Sequence, residues 1–155
     1  MEMKKLFGAG LITVCLMTGC ANPMVAIYDN DIKIASSTNS YNLNNYEQTA
    51  EDGHFTASVE KMEGMDTIWV FDAEEDTSLD ITYTLNVSSG KMKLVLINPN
   101  GDVSIIAECD TEMLEPVQST LNAESGNNRI KIVAGENTKF DIEISIPEGE
   151  FKELD

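Results

Sequence analysis

The chain has 155 residues, 42% of them hydrophobic and 6% aromatic, and its 27 acidic against 10 basic side chains leave a formal charge of −17. That balance excludes nucleic acid as a partner, because phosphate binding needs clustered Lys and Arg, and it opposes electrostatic adhesion to an anionic surface. One His, with no metal-spaced Cys or His, argues against zinc chemistry. The length suits one domain with appendages, and the apolar content suffices for a core.

The amino terminus reads Met1-Glu2-Met3-Lys4-Lys5, followed by an apolar run from Leu6 to Gly19. Two lysines before such a run match a secretory signal, and the run is too short to cross a bilayer as a helix. It ends in Leu16-Met17-Thr18-Gly19-Cys20, which resembles the lipobox of bacterial lipoproteins. In that family the Cys is diacylated on sulfur and becomes the first residue after cleavage. The resemblance implies a signal peptide over 1–19, lipid (palmitate among the chains) on Cys20, and an extracytoplasmic protein anchored to the cell membrane, or to an outer membrane if one is present. Met17 stands where Leu is usual. Cys15 fits less well, since the bulky Val14 precedes it.

With Cys15 discarded and Cys20 acylated, Cys109 is left without a disulfide partner. It reads as a small buried hydrophobe.

Residues 20–52 are mostly polar, with Ser36-Ser37-Thr38-Asn39-Ser40 and Asn42, Asn44 and Asn45 setting the tone. They read as a lipidated Cys and a flexible tether of ~30 Å root-mean-square span. Ile32-Lys33-Ile34-Ala35 alternates and predicts a short edge strand within it.

From Gly53 the period changes to two. Phe55, Ala57 and Val59 alternate with polar residues, and Ile68-Trp69-Val70-Phe71 is apolar on both faces. Leu79, Ile81, Tyr83, Leu85 and Val87 alternate strictly with Asp80, Thr82, Thr84, Asn86 and Ser88, a half-buried strand. Met92 to Ile97 and Val103 to Ala107 flank Asn98-Pro99-Asn100-Gly101-Asp102, a hairpin turn in which Asn-Gly supplies positive φ. Val117, Ser119 and Leu121 form a further strand. Arg129 to Val133 and Phe140 to Ile146 follow as two more, separated by a turn at Gly135-Glu136-Asn137-Thr138. Pro147 ends the pairing, and 148–155 read as a loose acidic tail.

About eight strands at this spacing predict an all-β domain over 53–147, a two-sheet antiparallel sandwich of jelly-roll type. Trp69-Val70-Phe71, Leu94 to Gly101 and Asn128 to Val133 together resemble the small sandwiches of bacterial secreted proteins known as prepeptidase C-terminal domains. Asn127 and Asn128 stand where that family has an aromatic. The resemblance implies a non-catalytic accessory module, in some members binding glycans or calcium.

Asp72, Glu74, Glu75, Asp76 and Asp80 crowd one loop and could offer several oxygens to calcium, although they lack EF-hand spacing. Trp69 and Tyr83 are candidates to stack on a sugar ring. Lys91, Lys93, Arg129 and Lys131 are the basic cluster and are expected to make cross-strand ion pairs. His54 stands beside Asp52 with no Gly-x-Ser-x-Gly nucleophile motif, so no enzyme is expected. The composite expectation is a lipid-anchored module that engages an envelope protein, with a polysaccharide or calcium as the alternative ligand. A protein-recruiting module should expose a large apolar patch, and a glycan binder should expose Trp69 or Tyr83.

Overall fold

A computed structural model describes residues 22–113 and 115–155. The signal segment, Cys15, Cys20 and Ala21 lie outside the described residues. Eight strands account for most of the rest: β1 (Ser40–Glu51), β2 (His54–Ala73), β3 (Thr77–Ser89), β4 (Met92–Ile97), β5 (Val103–Cys109), β6 (Val117–Ala123), β7 (Gly126–Ser145) and β8 (Glu150–Phe151).

The architecture turns on β2 and β7, each 20 residues long and paired antiparallel along their whole length. The first half of β2 pairs with the second half of β7, which continues to β3 and then β6. The second half of β2 pairs with the first half of β7, which continues to β4 and then β5. Counting each long strand as two, one sheet runs β2-β7-β3-β6 and the other β2-β7-β4-β5, the jelly-roll order. The expected all-β jelly-roll sandwich is therefore the fold. β1 borders β2 through both layers, pairing Ser40 with Met65 and Glu51 with His54.

The sequence reads each long strand as two separate strands, with a turn at Gly135-Glu136-Asn137-Thr138 between the two that make up β7. The chain bends there instead of reversing. Register shifts between Val59 and Gly64 mark the bend in β2, where Gly64 takes φ +100° against the carbonyl of Ser40. Asn137, at φ +48°, marks the matching bend in β7.

Alternation fills the space between the sheets. Phe55, Val59, Leu79, Ile81, Leu85, Phe140 and Ile144 enter from the first sheet, and Met92, Leu94, Ile130 and Ile132 from the second. On the first sheet, acidic and hydroxyl side chains at the opposite positions keep the outer face wet.

The tether expectation is corrected. Residues 22–39 lie on the outer face of the second sheet, and 40–51 are β1. A 3₁₀ turn (Val25–Ile27) and a helical turn α1 (Asp31–Ile34) bring Ile27, Tyr28 and Ile34 onto Met65, Val95, Ile97 and Val133 as a second apolar cluster. Ile32 to Ala35 is thus helical, not an edge strand. Asn30 Oδ1 accepts the Lys33 N–H at 3.1 Å and starts that turn as an N-cap. The domain therefore begins by residue 22, not at Gly53.

The loose-tail expectation is corrected as well. β8 pairs with Trp69 and Val70, the Phe151 ring lies 5.9 Å from that of Phe55, and Leu154 is buried. Apolar residues at 151 and 154 bring the acidic segment onto the sheet edge.

Candidate functional site

The lysine and arginine expected to form ion pairs do something else. Lys131 is fully buried, and its Nζ donates to the carbonyls of Ser36 at 2.8 Å and Thr38 at 2.9 Å. Arg129 donates from Nη1 to Ser36 O and from Nη2 to Ala35 O, both at 2.8 Å. Lys91 and Lys93 place their ammonium groups 4.0 and 4.7 Å from the centre of the Tyr28 ring. All four clamp the N-terminal cover to the second sheet. Burial, with the Arg129 charge beside it, draws the Lys131 ammonium down to about 8, while Asp66 opposes the shift. Burial also lowers Arg129 from its usual range.

Clamped there, residues 35–39 form one wall of a groove of about 900 Å³ at the far end of the second sheet. Asn39 is set by its Oδ1, which accepts from Thr67 N at 3.2 Å and Thr67 Oγ1 at 2.9 Å.

The second wall is the β4–β5 turn. Asn98 Oδ1 accepts the N–H groups of Asn100 at 3.0 Å and Asp102 at 2.9 Å, and Asn98 Nδ2 donates to Glu124 Oε1 at 2.8 Å. Asn100 Nδ2 reaches the other oxygen of Glu124 at 3.3 Å. Gly101 completes the turn at φ +85°. The third wall is the C-terminal segment at Lys152, Glu153 and Asp155.

Val70, Ala35 and Pro99 give the groove apolar surface. Asn127 stands at its end, its Nδ2 held by Asp72 Oδ1 at 2.9 Å. Among the described residues, Asn39 Nδ2, Asn100 Oδ1 and Asn127 Oδ1 have no hydrogen-bond partner, although the rest of each amide is fixed. Donors and acceptors locked beside a small apolar floor are the equipment for orienting a polyhydroxyl ligand.

A second, shallower groove of about 640 Å³ crosses the outer face of the first sheet between Glu47, Thr56, Thr84, Asn86 and Asp141, with Met113 at its rim. Beside it, His54 Nδ1 lies 3.0 Å from Ser145 Oγ and its Nε2 lies 3.7 Å from Glu143. The grouping has the residue types of a hydrolytic triad. Yet Ser145 sits in a strand paired on both sides, with His54 and with Thr82, so its neighbouring backbone N–H groups are committed to the ladder and none is aimed at an oxyanion.

The sequence candidates fare differently. Trp69 is fully buried, its Nε1 donating to Glu148 O at 2.9 Å. Tyr83 is 7% exposed, and burial raises its hydroxyl. Neither can stack on a sugar, so that assignment is corrected: both belong to the core, as the alternation around Tyr83 implies.

The acidic loop is also spread out. Asp72 is taken by Asn127, Asp76 accepts the Ser125 N–H at 2.8 Å, and Asp80 faces solvent on β3 opposite Thr120. Among the described residues no three carboxylate, His or Cys groups converge on a point, those of Asp72, Glu74, Glu75, Asp76 and Asp80 included. Cys109 is buried, its Sγ donating to Thr111 O at 2.8 Å. The exposed large hydrophobics among the described residues are Ile32, Tyr46 and Ile105, on three different elements, which is not the broad patch a protein-recruiting face requires.

No protein-family model matches the chain, and no curated protein matches it. Among solved structures, an exo-β-1,3-galactanase from Phanerochaete chrysosporium with galactose aligns at TM-score 0.40 and 16% identity over 71% of this chain, which spans 29% of that enzyme. The carbohydrate-binding module CBM6cm-2 from Cellvibrio mixtus lichenase 5A, with cellotriose, aligns at 0.40 and 14% identity over 74% of this chain and 92% of that one. A family 29 carbohydrate-binding module with mannohexaose gives 0.36 and 14% over 71% and 93%. At such scores what the groove holds rests on its own residues.

Proposed function

We propose that this chain is a non-catalytic, lipid-anchored module of the bacterial surface that binds an oligosaccharide in the groove between residues 35–39, the Asn98–Asp102 turn and the C-terminal segment. The observation that carries the reading is the set of fixed amides, Asn39, Asn100 and Asn127, each with one unused hydrogen-bonding atom beside Val70 and Pro99. Sugar hydroxyls both donate and accept, and a ring's C–H face suits a small apolar floor. With no aromatic in the groove lining, the affinity is expected to be modest and carried by hydrogen bonds. The lipobox-like segment ending at Cys20 supports placement outside the cytoplasm, with the lipid as membrane partner.

Two experiments test this. Calorimetric titration of the chain lacking residues 1–19 and carrying Cys20→Ala, against neutral and acidic oligosaccharides, should find at least one that binds in the micromolar to millimolar range and binds about five-fold more weakly to Asn39→Ala. Binding unchanged in Asn39→Ala, or no binding across the panel, overturns the groove assignment. Labelled palmitate should enter the wild-type chain in bacteria, and equal labelling of Cys20→Ala overturns the anchor.

A further inference from the structure

We infer that the anchored domain stands directly on the bilayer, on the corner where Asn22 meets Glu63 and Asn137, with the groove at the opposite end turned outward. The inference rests on the reading that Cys20 carries the lipid.

The argument begins with slack. A polar tether would float the domain ~30 Å above the lipid. The chain is instead bound to the domain from its first described residue. Asn22 Nδ2 donates to Glu63 Oε2 at 2.7 Å, its Oδ1 accepts from Met24 N at 3.0 Å, and Met24 packs on the second apolar cluster. Glu63 is itself immobile: 4% exposed, it also accepts from Asn137 N at 3.2 Å and Asn42 Nδ2 at 3.4 Å. Only Ala21 lies between Cys20 and Asn22, so at most ~7 Å of extended chain joins them. The corner must therefore sit at the headgroups whenever the acyl chains are in the membrane.

Charge is arranged to suit that posture. The corner gathers the bend of β2, the bend of β7 and the β3–β4 turn, as Gly135 N donates to Lys91 O at 2.8 Å. It exposes Lys61, Lys91 and Lys139, and Lys139 pairs with Glu60 at 2.8 Å. Glu60, Glu63 and Glu136 stand among these lysines, Glu108 accepts from the Tyr28 hydroxyl and Asp110 follows Cys109 opposite Met92, so this end mixes both signs. The other end carries Asp72, Glu74, Glu75, Asp76 and Glu124 on adjoining loops, where β2 and β7 meet at Ala73 and Gly126. An anionic headgroup layer repels that end and tolerates the corner. From Glu63 to Val70 on the groove floor is seven residues of strand, about 20 Å. The same orientation thus holds the groove clear of the lipid and open to polymer outside.

The test places a fluorophore at each end of the full lipidated chain in vesicles containing nitroxide-headgroup lipid. The variants are Lys61→Cys and Glu75→Cys, each with Cys109→Ala, and the Cys20 sulfur is blocked by its own lipid. Quenching at position 61 should exceed that at 75 at least three-fold, and twenty Gly/Ser residues inserted before Asn22 should erase the difference. Equal quenching of the two labels on vesicle-bound protein overturns the inference while leaving the anchor standing. Protein that fails to float with vesicles, or floats equally well as Cys20→Ala, overturns the lipid reading and the posture with it.

Discussion

The side-chain amide of Gln48 pairs with the backbone of Leu154 in both directions, Nε2 donating to the Leu154 carbonyl at 2.9 Å and the Leu154 N–H donating to Oε1 at 2.7 Å. A glutamine on β1 thereby acts as one more strand for a segment that has left the ladder at β8. Gln48→Ala leaves a partly buried N–H and C=O unpaired and should cost about 1–2 kcal/mol. Urea unfolding should show that loss. A second readout is amide exchange, which should accelerate at Leu154 and Asp155 while β3 amides keep their protection.

Asp66 makes stability depend on pH. It is fully buried, Oδ2 accepts from Asp155 N at 3.3 Å, and Oδ1 has no partner among the described residues. Burial pushes the carboxyl up to about 6, against the hydrogen bonds from Asp155 and Thr67. Because the folded value is raised, the protonated acid is the form the fold prefers. Its contribution is complete below the ordinary carboxylate range near pH 4 and lost as pH rises through about 6. Asp66→Asn, which stays neutral, should match wild type at pH 4 and be more stable by about 2 kcal/mol at pH 8. Melting curves at the two pH values decide it, and a gain of equal size at both would show that ionisation is not the cause.

Lys131 holds the cover that the groove depends on. Lys131→Ala leaves the carbonyls of Ser36 and Thr38 without their buried donor. Amides of residues 25–38 should then exchange at least ten-fold faster, a loss of about 1.4 kcal/mol in local opening, with the β2–β7 core unaffected. Uniform acceleration throughout the chain would instead mark Lys131 as part of the global fold.

How much of this the sequence discloses depends on the range of the interaction. The face of β3 is plain from Leu79, Ile81, Tyr83, Leu85 and Val87, and that alternation alone sends Tyr83 inward, against its candidacy as a stacking platform. The bends in β2 and β7 are harder. Gly64 and Asn137 permit positive φ, but whether a chain bends or reverses there is set by partner strands distant in sequence. The cover is harder still. Polar composition makes residues 21–39 look like spacer, because the acceptors used by Arg129 and Lys131 are backbone carbonyls more than 90 residues away, which carry no side-chain signature. The groove is legible in one part only, the Asn98-Pro99-Asn100-Gly101-Asp102 turn. Its other walls come from segments whose folding the composition conceals.

Gly64 tests the bend. At φ +100°, with the Ser40 carbonyl where a Cβ would lie, any side chain forces β1 away from β2. Gly64→Ala should cost about 3 kcal/mol or more. Chemical shifts should change most around Ser40 and Tyr41, a pattern that a generic loss of stability does not produce.

The groove assignment makes the sharpest separation between residues. Asn39 and Asn100 each present one free amide atom to the groove, so Asn39→Ala and Asn100→Ala should each weaken sugar binding about five-fold, the loss of about 1 kcal/mol for one hydrogen bond. Asn39 also holds Thr67, so its variant should show a small stability loss besides; Asn100 bonds to Glu124 at the surface, and its variant should melt close to wild type. Tyr83→Phe, inside the core, should leave affinity unchanged. Thr84→Ala, in the shallower groove of the first sheet, should also be silent. If titrations showed affinity falling with Thr84→Ala and not with Asn100→Ala, the ligand would belong to the outer face of the first sheet, and the three converging walls at the far end of the second would be structural.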